Sequence, residues 1–312
     1  MSLRRPVTVH VVGRGIVGLR VHRMLQHAPV MLHDGHWSDV TGTAPGDVVV
    51  LAHGGRVAHQ ARTLLGRGLH VVTMGDSVAD TRMLLDEPPG SDGPSLVVGA
   101  AMSPGLSGLI ARYLAHQLAS IDEIHVAIHG TAGPACARVH HRSLTGLSPG
   151  FLDGEWVDHV GGSGRELCWF PEPIGAKDCY RARISSPYVL QRAFPEVSRL
   201  SARRSARRRD RLTAWLPMLS PPHQEGGVGG LRVEVRGADV QGGRQVRIAG
   251  VAELVGTAAA ATVTAFATAL VDGLLPSGLV VAGDVSLPTV DLLRRAERHG
   301  VRLQEFTGIP QP

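Results

Sequence analysis

The chain has 312 residues, is 43% hydrophobic and carries a formal net charge of +5 at pH 7, a length that allows two domains, each with its own core. Three cysteines, Cys136, Cys168 and Cys179, exclude a disulfide framework and fit a reducing compartment. The first residues carry no apolar h-region of a signal peptide, and the longest apolar stretches, such as 256–271, are too short and too rich in Ala and Thr for a membrane span. The expectation is a soluble, cytoplasmic protein with no membrane partner. Its basic balance can attract anionic substrates or nucleic acid. Lys177 is the single lysine among the basic residues, a skew toward Arg that reflects genome composition more than function.

In chain order, residues 7–12 form a buried-strand run, Ile16–Gln26 a helix, and 30–34 a second strand. A strand over 47–52 precedes a helical stretch through Arg67. His70–Thr73 reads as a strand, 78–85 as a short helix, 95–99 as a strand and 105–118 as a helix. Strands alternating with helices predict a parallel sheet covered on both faces. After Ser120 the rhythm changes. A strand over 124–129 is followed by Gly and Pro that break the pattern through 161–164. Strands over Glu166–Phe170, 179–184, 197–208, 231–236 and 245–251 suggest an antiparallel sheet, with a loop at 217–230. A small-residue helix over 257–271 and another over 290–299 close the chain.

The run at 7–12 leads into Gly13-Arg14-Gly15-Ile16-Val17-Gly18, with G-x-G-x-x-G spacing. In such a turn the first Gly permits the tight bend, the second lets backbone approach a pyrophosphate, and the third lets helix pack on strand. The amides opening the helix add positive partial charge. The strand before, the helix after and a second strand ending in Asp34 supply the context that the spacing alone lacks. A carboxylate at Asp34 can accept bonds from the adenosine ribose hydroxyls and repel a 2′-phosphate, which favours NAD. His36 and Arg14 leave NADP open as the alternative. The loops Ala52-His53-Gly54-Gly55, Thr73-Met74-Gly75-Asp76 and Ala100-Ala101-Met102-Ser103 end strands and should line the same crevice, although His53 can equally cap the following helix.

The fold class is therefore α/β. An N-terminal Rossmann domain, a doubly wound parallel sheet, takes 1–120. An α+β substrate and dimerisation domain with a mainly antiparallel sheet takes 121–284. A C-terminal helix and tail, 285–312, packs back on the Rossmann domain. Strands of the second domain often pair across a dimer in such architectures, so a homodimer is expected by analogy.

The segment Gly99-Ala-Ala-Met-Ser-Pro-Gly-Leu-Ser-Gly-Leu-Ile-Ala-Arg112 resembles the Pro-Gly-Leu/Val-Ser/Thr-Asn-Leu segment of the saccharopine dehydrogenase-like reductases. Downstream, Trp169-Phe-Pro-Glu-Pro-Ile-Gly175, Arg192-Ala-Phe-Pro-Glu-Val197 and Asp291-Leu-Leu-Arg-Arg-Ala-Glu-Arg-His-Gly300 are similar to further segments of that family, in the same order. The resemblance implies nicotinamide-dependent oxidoreduction at a C–N (imine or secondary amine) or keto centre of an amino-acid-like substrate, with Ser103, Pro104 and Gly105 near that substrate. Two positions depart from the family pattern. Gly108 stands where Asn is usual, and Ser186-Pro187-Tyr188 where His-Pro-Glu is common. Both fall where substrate contacts are expected, so a divergent member with a different substrate is implied.

A proton-transferring group with a pKa near working pH favours His. His129 ends the first strand after residue 120, in Ile128-His-Gly-Thr-Ala-Gly-Pro134, a turn that should bring His129 and Thr131 to the crevice. A strand-end His bonded to backbone is the plainer reading. His140-His141-Arg142 lies in a polar stretch that reads equally as a solvated helix face. From this pair His141 joins His129 as a catalytic candidate. Arg142, Arg165 and Arg181 are candidates for pairing a substrate carboxylate, and Trp169 for walling the pocket. Cys168 and Cys179 have no His at ligand spacing, and no metal site is read. Arg203-Arg204 with Arg207, Arg208, Arg209 and Arg211 has no aromatic interleaving. It reads as a solvated strand and turn, not a nucleic-acid surface. Non-catalytic dinucleotide sensing, or a redox-neutral enzyme with tightly held NAD, are the competing functions.

Overall fold

The computed structural model describes residues 5–33, 40, 42–75, 77–219 and 221–306. The first part of the chain alternates β1 (Thr8–Val12), α1 (Ile16–Gln26), β2 (Met31–Leu32), β3 (Val48–Leu51), α2 (Val57–Gly66), β4 (His70–Thr73), α3 (Val78–Asp86), β5 (Leu96–Val98) and α4 (Leu106–Ala115). Its inner strands β3 and β5 are unbroken Val/Leu runs because helices cover both of their faces. All four residues of β3 are fully buried.

The next part holds β6 (Ser120–His129), α5 (Pro134–Arg142), β7 (Leu147–Leu152), β8 (Glu155–Val160), β9 (Glu166–Phe170), β10 (Gly175–Arg181), α6 (Ser186–Ala193), β11 (Arg199–Ser205), α7 (Arg208–Leu212), β12 (Val228–Ala238) and β13 (Arg244–Leu254). The chain closes with α8 (Val255–Val271), β14 (Leu279–Val281), α9 (Thr289–Glu297) and β15 (Gln304–Glu305).

The strands form two sheets. The first is parallel, in the order β14-β5-β4-β3-β1-β2. β1 lies between β2 and β3, so strand order reverses there and a crevice opens at the carboxyl ends of β1 and β3. The second has nine strands, β15-β13-β12-β6-β11-β10-β9, with β7 on β11 and β8 on β7. It is mainly antiparallel, as expected. Its parallel pairing is β6 with β11, which sets Ala202 beside Val126 and Arg204 beside Ile128.

Three features differ from the sequence reading. β14 returns to the first sheet, beside β5, so strand membership does not follow the 121–284 span. The closing segment divides: α9 packs on α8 and α4, while β15 pairs with β13 of the second sheet. The stretch read as broken by Gly and Pro holds α5 and a β7–β8 hairpin. Pro134 is at the first turn of α5, where a missing N–H costs nothing. The hairpin turns on Asp153-Gly154, both at positive φ, the backbone that a two-residue loop demands.

α8 ties the two sheets together. It packs on α1, β3 and β4 and also on β12 and β13. Its Ala-rich surface permits this close approach; a Cβ on Gly256 would run into the Arg20 guanidinium. The hydroxyls of Thr262 and Thr268 donate within the helix, to the Ala258 carbonyl at 2.8 Å and the Thr264 carbonyl at 2.9 Å, so they are buried without loss. Among the described residues no helix is long and apolar enough to cross a membrane.

Candidate active site

The glycine turn is built from two kinds of glycine. Gly13 has φ +126°, and a Cβ there would fall on the Ala52 carbonyl oxygen. A Cβ on Gly18 would fall on the Gly13 carbonyl oxygen. These two let the turn close against β3. Among the described residues, a Cβ on Gly15 would meet nothing within 4 Å. Gly15 is the extended N-cap of α1 and makes no side-chain cap bond, so the first amides of α1 point to open space. Among the described residues no neighbour demands glycine at this position. An anion approaching the helix N-terminus does, because a side chain would fill its cradle. The turn therefore fits a dinucleotide pyrophosphate.

A groove of about 440 Å³ runs over the turn. Arg14, Gly15, Ile16 and Val17 form one side, with Ala52, His53 and Gly54 from the loop after β3. Met74, Ala101, Met102 and Ser103 continue it. Thr73 stands back from the groove: it is buried and its hydroxyl donates to the Val97 carbonyl at 3.1 Å. Pro104 and Gly105 are buried behind the groove, where Pro104 packs on Gly75 and Gly99. His53 bonds the Gly54 carbonyl through Nδ1 at 2.7 Å and Gln60 through Nε2 at 2.8 Å, which ties the loop to α2. Asp34, His36 and Asp76 lie outside the described residues.

The opposite wall comes from the second sheet and α5. Ile128, Ala132, Gly133, Cys136 and His140 line it. A Cβ on Gly133 would lie 2.7 Å from Ile16 Cδ1, so the starts of α1 and α5 nearly touch. On α5, Cys136 and His140 are one turn apart and share a face; Cys136 Sγ is 3.5 Å from His140 Nε2. Burial, and then the nearby Arg204 cation, hold the His140 imidazole well below its ordinary pKa, so it is neutral at neutral pH.

The helix phase separates His140 from its neighbour. His141 Nε2 donates to the carbonyls of Thr213 and Leu216 at 3.2 and 3.1 Å, which staples α5 to the segment after α7. It borders a second chamber, as do Thr131 and His140. His129 is turned away from the groove. On β6 the residues Ile124, Val126 and Ile128 face the core, so period-2 alternation sends His129 to the outer face. There it bonds Ser205 Oγ through Nδ1 at 2.7 Å and tilts against Phe170. Its pKa is lowered by burial and by the charges of Lys177 and Arg204.

The expected arginines do not converge on the groove. Arg142 is exposed at the end of α5, beside an outer hollow. Arg165 is exposed and pairs with Asp178 at 2.9 Å. Arg181 lies beside Gly164. Trp169, 59% exposed, stands on edge strand β9. The two departures from the family pattern have packing roles. A Cβ on Gly108 would fall on the Ala282 carbonyl oxygen, so Gly108 lets α4 approach the end of β14. Ser186 Oγ is 2.8 Å from Ser103 Oγ, and Tyr188 stacks on Trp156 at 4.3 Å.

The arginine run corrects one reading. Arg203 pairs with Glu166 at 2.7 Å, and Arg207, Arg208, Arg209 and Arg211 are exposed, as a solvated segment requires. Arg204 is not solvated. Strand β11 alternates, placing Leu200, Ala202 and Arg204 on the inner face, and Arg204 is 5% exposed. The sequence signal was the alternation itself, continued two residues past Ala202. Among the described residues, no group of three His, Cys, Asp or Glu side chains is placed to hold a metal ion.

No protein-family model matches the chain, and no curated protein matches it in sequence. Among solved structures, apo saccharopine dehydrogenase (L-Glu forming) from Saccharomyces cerevisiae is similar over 96% of this chain and 100% of that one, with TM-score 0.67 and 12% identity. The C. glutamicum DAP dehydrogenase in complex with DAP matches 92% of this chain and 95% of its own, with TM-score 0.47 and 14% identity. An amine dehydrogenase from Mycobacterium smegmatis matches 90% and 96%, with TM-score 0.44 and 11% identity. The yeast enzyme shares its fold with this chain over nearly the whole length of both, in keeping with the resemblance read from the sequence.

Proposed function

We propose that this protein is a nicotinamide-dinucleotide-dependent oxidoreductase acting at a C–N or keto centre of a small amino-acid-like substrate. The observation that carries the reading is Gly15: a helix N-cap with no neighbour among the described residues at its Cβ position, opening into a groove that His140 also lines. The fold shared with saccharopine dehydrogenase and the segments around Ser103 and Phe194 support the substrate class. When bound, the dinucleotide supplies hydride chemistry; the protein binds, orients and manages a proton. The amides opening α1 and Arg14 hold the pyrophosphate, and Ala52, His53, Gly54 and Met74 flank it. His140, neutral and at the junction of groove and chamber, is placed to accept or relay a proton on the substrate side. Asp34 favours NAD over NADP.

Fluorescence titration with NADH and NADPH tests the reading. The unaltered protein binds NADH, and more tightly than NADPH. Gly15→Asp stays folded by circular dichroism, because its side chain enters open space, and loses about a hundredfold or more in affinity as a carboxylate occupies the pyrophosphate cradle. Failure of both dinucleotides to bind at millimolar concentration, or unchanged binding by Gly15→Asp, overturns it.

A further inference from the structure

Beside the groove lies a second chamber of about 370 Å³. The inner face of β11 forms its floor, α5 one wall, and Thr213, Met218, Leu219 and residues 221–223 the outer wall. A Cβ on Gly226 would fall on the Thr131 carbonyl oxygen, so the chain just beyond that wall is packed down on the β6–α5 turn. His140 lines both the chamber and the groove, which makes them adjoining spaces.

Arg204 sits on the chamber floor. It is 5% exposed, and among the described residues its Nη1 has no hydrogen-bond partner. Among the described residues no carboxylate is paired with it; Asp210, at the chamber edge, lies 3.7 Å from Arg209 instead. The titratable groups that would favour its charge are the thiols of Cys136 and Cys179, and a protonated thiol is neutral and no counterion. A buried cation without a partner is costly, and folds ordinarily pair it or leave it in water. A partner that arrives with the ligand resolves the cost. The guanidinium is a planar fork that matches a carboxylate with two parallel bonds.

We propose that Arg204 is the anchor for the substrate's carboxylate, which binds in this chamber with its reacting carbon toward His140 and the groove. The identity of that carbon as the redox centre rests on the oxidoreductase reading; the anion site rests on Arg204 alone. The other chamber cations, Arg207 and Arg209, are exposed at its mouth, while Leu144, Met218, Leu219 and Pro222 offer apolar surface. The chamber therefore selects a monocarboxylic oxo or amino acid with a short apolar side chain over a dicarboxylate.

Calorimetric titration with 4-methyl-2-oxopentanoate, its amide, 2-oxoglutarate and inorganic phosphate, with and without saturating NADH, tests this. The expected order places the apolar oxo acid first, with the amide at least about tenfold weaker. Arg204→Met loses at least about tenfold for the acid and keeps its NADH affinity; Arg204→Lys keeps part of the acid affinity. If Arg204→Met fails to fold, the Lys variant and the acid–amide comparison decide. Equal affinity for acid and amide, tighter phosphate, no binding of the acid at millimolar concentration, or unchanged binding by a folded Arg204→Met overturns the proposal. Preference for 2-oxoglutarate overturns the monocarboxylate assignment. Absence of NADH binding alone sinks the oxidoreductase reading and leaves the acid titration standing as the test of Arg204.

Discussion

Two arginines are buried in this molecule to nearly the same extent, Arg112 at 8% and Arg204 at 5% exposure, and the fold treats them in opposite ways. Arg112 donates from Nε to the Gly283 carbonyl at 2.6 Å and from Nη2 to the Ala193 carbonyl at 2.9 Å. Its guanidinium lies 4.1 Å over the Phe194 ring. It fastens α4 to the end of α6 and to the turn after β14. Arg204 fastens nothing through Nη1 and faces a cavity. Burial lowers both pKa values, that of Arg204 to about 10, so both remain cations at neutral pH. Burial of a charge is therefore uninformative until its partners are counted. A guanidinium consumed by backbone carbonyls is a structural clasp, and one left open beside a cavity is a receptor.

The sharpest way to break this contrast is to delete each side chain and measure stability. Arg112→Ala strands two buried carbonyls and empties space beside Phe194, with an expected loss of about 3 kcal/mol or more in urea unfolding. Arg204→Met removes an unpartnered charge and keeps the volume, so its stability rises by about 1 kcal/mol or stays level. A loss at Arg204 as large as that at Arg112 would erase the distinction.

A smaller effect sharpens it. His10, His70, His129 and His140 all have pKa values lowered by burial, and both His129 and His140 are also pushed down by Arg204. The unfolded chain then takes up protons before the folded one as pH falls below about 6.5, so stability is full above that pH and declines below it. Urea midpoints measured between pH 7.5 and 5.5 should show this decline. The decline is shallower in Arg204→Met, because His129 and His140 then titrate nearer their ordinary values; identical slopes in the two proteins would separate both histidines from Arg204 electrically.

Much of the first sheet was legible because a buried parallel strand has an unmistakable composition, and Ile16–Gln26 and His70–Thr73 emerged with their observed bounds. The second sheet was harder. Its hairpin at Asp153-Gly154 carries a recognisable turn pair, yet flanking glycines masked it. The site divides along the same line. The groove side was readable, since glycine spacing encodes backbone geometry directly. The chamber side depended on phase: one residue along β6 separates Ile128 in the groove wall from His129 outside, and one residue along α5 separates His140 from the staple at His141. Residue type cannot supply phase. The alternation of Leu200, Ala202 and Arg204 could have, because the apolar members fix which face is inward.

The placement of α8 and β14 has a consequence for synthesis. A ribosome releases β1 to β5 early, but the helix that covers β3 and β4, and the strand that closes the edge beside β5, come from residues 255–281. Until they emerge, β3 and β4 on one face and the β5 edge of the first sheet lack this covering, although α1 already packs on β1 and β2. Val255 and Ala259 at the start of α8 also border the groove, so the nucleotide site is finished by nearly the last helix to be made. Folding order and chain order therefore run apart here. The nascent protein depends on whatever shields a half-built parallel sheet during that interval.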